Sequence, residues 1–326
     1  MLAPGSSSLA VSEGVGSNPP LVLITGANGF VGSRLAPWLA SSGKFRVRTL
    51  SRYRNFSFPE QVDQSVVAHP FDAAVLAEAV NGVDVVIHCA GRAHVMDDTS
   101  GSSLQSYRDI NVDYSLRLAR AAMSAGVNRF IYLSSVKVNG ECTDGRAPFH
   151  PLDTPMPEDA YGLSKWEAEQ ALSETLGDQC ELVVVRPPLI YGEGVKGNFA
   201  RLQTAIIARK PLPLGLLINK RSLISLPNLV DFIECCLTHP QAAGRVFIPC
   251  DQQDFSVREM VRQLAYTNNV RPLLLPVPVW CLKLAGRLLG RSEAVGRLCG
   301  SLRVDHAHTA DWLGWSAPFT PFEKTS

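Results

Sequence analysis

The chain has 326 residues, 46% of them hydrophobic, with 31 basic and 30 acidic side chains and a formal net charge of +1. That length can bury more core than one nucleotide-binding unit needs, so one domain with a smaller appended one is expected. Balanced, interspersed charge offers no basic stripe for nucleic acid, and any anionic ligand must be held by a few local charges.

Residues 1–19 are rich in Ser, Gly and Pro and lack a basic start followed by an apolar core, so they read as a disordered leader rather than a signal peptide. From Leu21 to Arg186 short apolar runs alternate with amphipathic stretches. Leu21-Val-Leu-Ile-Thr, Phe45-Arg-Val-Arg-Thr-Leu, Val83-Asp-Val-Val-Ile-His, Phe130-Ile-Tyr-Leu-Ser and Leu182-Val-Val-Val-Arg are expected as strands, and Ile110 to Ala125 and Ala160 to Leu176 as helices. This pattern implies an α/β fold, a Rossmann-type doubly wound parallel sheet with helices on both faces. Pro37 falls inside the first expected helix, where a kink is predicted.

After Arg186 the texture changes to Pro- and Gly-rich loops, which at strand ends usually build a substrate pocket. A helix over 227–237 and a strand over 245–249 should return to the sheet. The expected division is therefore a dinucleotide-binding domain over 20–186, joined by 223–250, and an interleaved substrate domain over 187–222 and 251–326. Leu273 to Leu289 is strongly apolar with basic punctuation, and reads as domain core or, alternatively, as an interfacial membrane helix. No integral membrane segment is expected.

The cysteines Cys89, Cys142, Cys180, Cys235, Cys236, Cys250, Cys281 and Cys299 have no CxxC spacing and lie mostly in apolar runs, which suggests buried, reduced thiols and a cytoplasmic protein. The spacing of His88, His94 and His150 matches no metal-ligand set, and no metal is expected.

Gly26-Ala-Asn-Gly29-Phe30-Val31-Gly32 follows a strand and precedes a helix, the context in which glycines let a backbone close on a pyrophosphate. The next strand ends in Ser51-Arg52 without the carboxylate that suits NAD; a hydroxyl and a guanidinium favour NADP over NAD. Asp72 should border the adenine, and Ala90-Gly91 should let the dinucleotide lie close to the backbone. Tyr161 and Lys165 stand one helical turn apart, and Ser135 ends a strand. In that company they form an acid/base unit in which Ser135 hydrogen-bonds the reacting oxygen, Tyr161 exchanges its proton, and Lys165 lowers the tyrosine and holds the nicotinamide ribose.

On these motifs, from Leu21 to Pro318, the chain resembles the extended short-chain dehydrogenase/reductase superfamily, in its nucleotide-sugar epimerase and reductase branch. Ser135-Val-Lys-Val-Asn-Gly-Glu141 and Gly194-Val-Lys-Gly-Asn-Phe199 resemble a bacterial group of 4-reductases acting on UDP-4-keto-6-deoxy-N-acetylglucosamine for O-antigen sugars, many of them labelled UDP-glucose 4-epimerases. The resemblance implies that Asn198 and Phe199 contact the nucleotide diphosphate, that Arg221 binds a phosphate, that 211–217 flanks the base, and that a homodimer forms through helices 110–125 and 160–176. Val136-Lys137 stands where sugar dehydratases carry Asp-Glu, which argues against dehydration. Asn139 replaces the tyrosine usual in the epimerases, which argues against a standard epimerase pocket, and Lys137 beside the pocket reads as a solvated loop lysine or, alternatively, as a ligand contact. The expected function is NAD(P)H-dependent reduction of the C4 ketone of a UDP-sugar. The alternatives are a UDP-hexose 4-epimerase, a reductase of flavonoid-like or steroid ketones, and a non-catalytic dinucleotide sensor.

Overall fold

Alternate residues of the apolar runs are buried on opposite faces of one sheet, which is why they read as continuous hydrophobic strands. The computed structural model describes residues 18–92 and 104–322; nearly all of the expected leader, and His94, lie outside them. In chain order the elements are β1 (Leu21–Thr25), α1 (Gly32–Ser41), β2 (Arg46–Ser51), β3 (Val62–Val66), α2 (Ala73–Ala79), β4 (Val85–His88), α3 (Leu104–Arg108), a π-helical turn (Asp109–Asp113), α4 (Tyr114–Ser124), β5 (Arg129–Leu133), α5 (Ala160–Leu176), β6 (Glu181–Val185), β7 (Leu189–Tyr191), α6 (Gly197–Ile207), β8 (Leu223–Ser225), α7 (Leu226–Thr238), β9 (Arg245–Phe247), α8 (Val257–Thr267), α9 (Val279–Leu288), α10 (Ser292–Cys299) and α11 (Ala307–Leu313).

Seven strands form one parallel sheet in the order β3-β2-β1-β4-β5-β6-β9, and β7 pairs with β8 apart from it. The order reverses between β1 and β4, where Thr25 stands opposite His88. Ligands of doubly wound sheets bind in the crevice at that point. Val22, Ile24, Leu35, Leu39, Phe232 and Phe247 fill one side of the sheet under α1 and α7; Leu23, Leu76, Leu118, Phe130 and Leu172 fill the other under α2, α4 and α5. A third cluster, with Tyr191, Phe199, Ile206, Leu214, Val261 and Leu264, packs among β7, α6 and α8.

Several expectations change. The helix expected to begin near Asp109 starts at Leu104 and passes through the π turn before α4. Pro37 lies inside helix α1, as expected, and cannot donate to the Ser33 carbonyl. Leu313 and Trp315, assigned by sequence to the substrate domain, pack in the cluster around α1 and α7, and the Trp315 indole donates to Asp231 (2.8 Å). The segment after α11 is pinned to α7 and β7: Asn228 donates to the Phe319 carbonyl (2.9 Å), and the Phe322 N–H donates to the Tyr191 hydroxyl (3.2 Å). Cys142 is exposed, unlike the buried thiol expected. Of the residues at helical spacing on α4 and the turn before it, Ala119 is buried and Val112, Leu116 and Met123 are half-buried.

Candidate active site

The glycine turn leaves β1 through Gly26, whose φ of +69° disfavours other residues and whose missing Cβ would lie 2.5 Å from the Ala90 nitrogen. A Cβ on Gly32 would meet the Gly26 carbonyl at 2.4 Å. The Gly29 N–H donates back to Gly26 (2.8 Å), which closes the turn. Helix α1 begins after Val31 with no side-chain cap, so the N–H groups around Phe30, Val31 and Gly32 remain available to an anion. Ala90 and Gly91 face this turn, and a Cβ on Gly91 would sit 3.1 Å from Asn111 Oδ1 and 3.2 Å from Lys165 Nζ. A cradle built of missing side chains, ending at a helix N-terminus, fits a dinucleotide lying flat against the backbone.

At the end of β2, the Ser51 hydroxyl and the Asn28 amide both donate to the Tyr53 carbonyl (2.7 Å each). Arg52 is exposed, its guanidinium 5.9 Å from the Tyr53 ring centre. The Asp72 carboxylate caps α2, accepting from Ala74 (2.8 Å) and Val75 (3.4 Å), so the residue expected at the adenine is already committed to a helix start.

Helix α5 opens at Asp159, which accepts the Gly162 N–H (2.7 Å) and sets Tyr161 and Lys165 on one face. Burial pushes the Tyr161 phenol up to about 12, against a hydrogen bond with Ser135 that pulls it down; Asp159 and Tyr107 add to the rise. Lys165 is buried, with Nζ donating to the Leu133 carbonyl (2.8 Å) and the Tyr132 hydroxyl (3.2 Å), and its field falls on His88 and Cys89. Burial lowers Lys165 itself to about 8, opposed by the Glu169 charge one turn further on. His88, between Thr25 (2.6 Å) and Ser115 (2.8 Å), is driven to about 3 by burial and serves the core.

Sequence reasoning missed Asn111. The π turn directs this fully buried amide at the site, donating to Ser164 Oγ (2.9 Å) and accepting from the Arg92 N–H (2.8 Å). The available signal was an amide at a core-facing position of an amphipathic helix.

Behind the site, Glu169 pairs with Arg186 (2.5 Å), and their side chains are 4% and 2% exposed. Ser134 hydrogen-bonds Glu169, and Arg186 donates to Asn139 (3.0 Å), whose amide donates to the His150 carbonyl (3.1 Å). Asn139 therefore bridges buried groups rather than shaping a sugar pocket. Lys137 is not a solvated loop lysine: half-buried, it pairs with Glu141 (2.6 Å) and Asp159 (2.5 Å).

Of the residues expected at a substrate, Asn198 is exposed at the start of α6. Phe199 stacks on Tyr191 (centroids 5.9 Å apart) at the edge of the third cluster, and both line the cavity described below. One terminal nitrogen of Arg221 donates to the carbonyls of Arg297 (2.8 Å) and Gly300 (3.1 Å), fastening the end of α10. A cavity of about 650 Å³ lies between Asn28–Phe30, the Gly192–Lys196 loop and Phe319–Phe322; it adjoins the glycine turn rather than the Ser135–Tyr161 pair. Among the described residues, no group of three or more His, Cys, Asp or Glu side chains could hold a metal.

Residues 22–248 match the family model described as the NAD dependent epimerase/dehydratase family. A Vibrio cholerae protein named UDP-glucose 4-epimerase is 43% identical over 93% of this chain and 92% of its own length. The N-acetyl-alpha-D-glucosaminyl-diphospho-ditrans,octacis-undecaprenol 4-epimerase of Escherichia coli O157:H7 is 30% identical over 92% of this chain and 91% of its own. Among solved structures, UDP-glucuronic acid 4-epimerase from Bacillus cereus in complex with NAD superposes with a TM-score of 0.73 at 18% identity, covering 92% of this chain and 94% of that one, a likeness of fold.

Proposed function

This chain belongs to the NAD dependent epimerase/dehydratase family, and from that premise we propose that it reduces the C4 ketone of a UDP-linked 4-keto-6-deoxy-N-acetylhexosamine, using NADPH in preference to NADH. The observation that carries this reading is the end of β2, where Ser51 and the exposed Arg52 stand and no carboxylate repels a ribose phosphate. A cofactor chosen by its phosphate is one drawn from the reduced pool and consumed.

The backbone around Gly26, Gly29, Phe30, Val31 and Gly32 receives the pyrophosphate, with Ala90 and Gly91 beneath the dinucleotide and Lys165 at the nicotinamide ribose. When bound, the nicotinamide supplies a hydride. Ser135 hydrogen-bonds the C4 oxygen and orients it toward Tyr161, which gives up its proton as charge develops on that oxygen. A phenol that burial pushes up to about 12 holds its proton at neutral pH and gives it up only as the more basic alkoxide develops. Asn198 and the free donors of Arg221 face the substrate diphosphate.

A second reading, a UDP-hexose 4-epimerase, is favoured by the name of the Vibrio cholerae relative. It needs the same groups working in both directions. The purified protein is mixed with NADPH or NADH and UDP-4-keto-6-deoxy-N-acetylglucosamine, and loss of reduced-nicotinamide absorbance is followed against alcohol formed. Stoichiometric loss is expected. Interconversion of UDP-glucose and UDP-galactose, or of their N-acetyl forms, without added reductant would replace this reading by the second.

A further inference from the structure

Helix α9 turns part of its apolar side outward. Trp280, Leu284 and Leu288 recur four residues apart and are 67%, 49% and 80% exposed, and Leu289 just beyond is 73% exposed. The helix is anchored from its other side: Val279 and Leu282 pack on the third cluster, and Gly286 lies so close to α10 that a Cβ would stand 2.7 Å from Val295. The exposed stripe is therefore not a core face left open by a loose helix. Lys283 and Arg287, themselves four apart and exposed, run alongside it, and Arg291 follows. No acidic residue occurs between Glu259 and Glu293, whereas Arg262, Arg271, Lys283, Arg287 and Arg291 all do.

We propose that this face docks on an anionic lipid bilayer, with α9 lying in the headgroup plane, its Trp280–Leu284–Leu288 stripe immersed and Lys283 and Arg287 against lipid phosphates. An apolar stripe bordered by cations, with an aromatic ring at one end, is the pattern that partitions into a membrane interface. One-signed charge on this stretch selects an anionic surface over an uncharged one. Spanning is excluded for α9, since ten residues reach about 15 Å and the hydrocarbon layer is about 30 Å thick.

The face is connected to the site. Arg297 on α10 lies 3.6 Å from Glu141, and Glu141 shares Lys137 with Asp159, which starts the helix bearing Tyr161. Ion pairs thus join the docking face to the helix that carries Tyr161, whichever sugar reaction the site performs, and the inference stands or falls apart from that reading.

The full-length protein is sedimented with vesicles of phosphatidylcholine alone and of phosphatidylcholine mixed with phosphatidylglycerol, at low and high salt. Binding to the mixed vesicles, weakened by salt, is expected. Leu284→Ser with Leu288→Ser should weaken it at least about tenfold, given the apolar area lost. Lys283→Glu with Arg287→Glu should weaken it by at least roughly fivefold per charge. Both double variants should keep the wild-type melting temperature, because all four side chains are exposed; if the serine variant melts early, the charge variant alone decides. Absence of binding to the mixed vesicles, or binding that both folded variants retain, overturns the proposal. So does a vesicle-free self-association that the serine variant dissolves, which would make this face a contact between copies of the chain.

Discussion

Replacing Lys165 by methionine should make the ligand-free protein more stable at neutral pH while removing its turnover. Burial lowers this ammonium from its ordinary 10.5 to about 8. Because a tenfold change in proton affinity is worth about 1.4 kcal/mol, keeping Lys165 charged costs the folded state on the order of 3 kcal/mol at pH 7. Methionine of similar length removes that cost but also the bonds to the Leu133 carbonyl and the Tyr132 hydroxyl, about 1–2 kcal/mol together. The net gain is about 1–2 kcal/mol.

The sign of the pH dependence makes the test specific. The folded-state value lies below the unfolded one, so the cost is fully present below pH 8, where both states hold the proton. Between 8 and 10.5 the folded state releases its proton while the unfolded chain keeps it, and wild-type stability rises relative to the variant. Above 10.5 the electrostatic cost is gone and methionine should be the less stable residue. Urea unfolding of both proteins without ligand, across pH 7 to 10.5, measures the difference directly; other titrating groups are common to both and cancel. A stability gap that does not change over this range would mean that Lys165 holds its proton as an exposed lysine does, and the reasoning from burial would be wrong.

Tyr161→Phe should lower turnover by about 100- to 10,000-fold with dinucleotide affinity nearly intact; near-normal turnover would remove the phenol from the chemistry. Arg52→Ala should weaken NADPH binding by about 1.5–3 kcal/mol in titrations and leave NADH unchanged, whereas equal effects on both would make Arg52 a surface charge. Glu169→Gln should destabilise the protein by about 3–5 kcal/mol, because it strands the Arg186 charge in the core, and adding Arg186→Met should recover much of that loss in urea midpoints. A single variant as stable as wild type would show that the pair does not carry a buried charge.

The central strands, the glycine turn and the shared face of Tyr161 and Lys165 were legible because each rests on local chemistry: apolar runs, residues without side chains, and the 3.6-residue repeat. Strand β3 was not, since Val62-Asp-Gln-Ser-Val sits at the sheet edge and needs little apolar character. The π turn that aims Asn111 is invisible to a helical period because it is a departure from one. The partners of Lys165, Asn139 and Lys137 were hidden for a different reason. Leu133, Arg186 and Asp159 lie 22 to 47 residues away from them in the chain, and which charges and amides find one another is settled by packing.

The pinning of residues 315–322 has a consequence for biosynthesis. Trp315 reaches Asp231 across 84 residues, Phe319 meets Asn228 across 91, and Phe322 meets Tyr191 across 131. A ribosome that has released only the dinucleotide-binding half has made a sheet whose α7 face is still missing its last aromatic cover. Closing that face waits on residues made 84 or more positions later, and such distant closures are slow. The nascent protein therefore passes through a stage in which most of its sheet exists while one apolar side stands open, and deleting residues 315–322 would prolong that stage into a standing invitation to chaperones and aggregation.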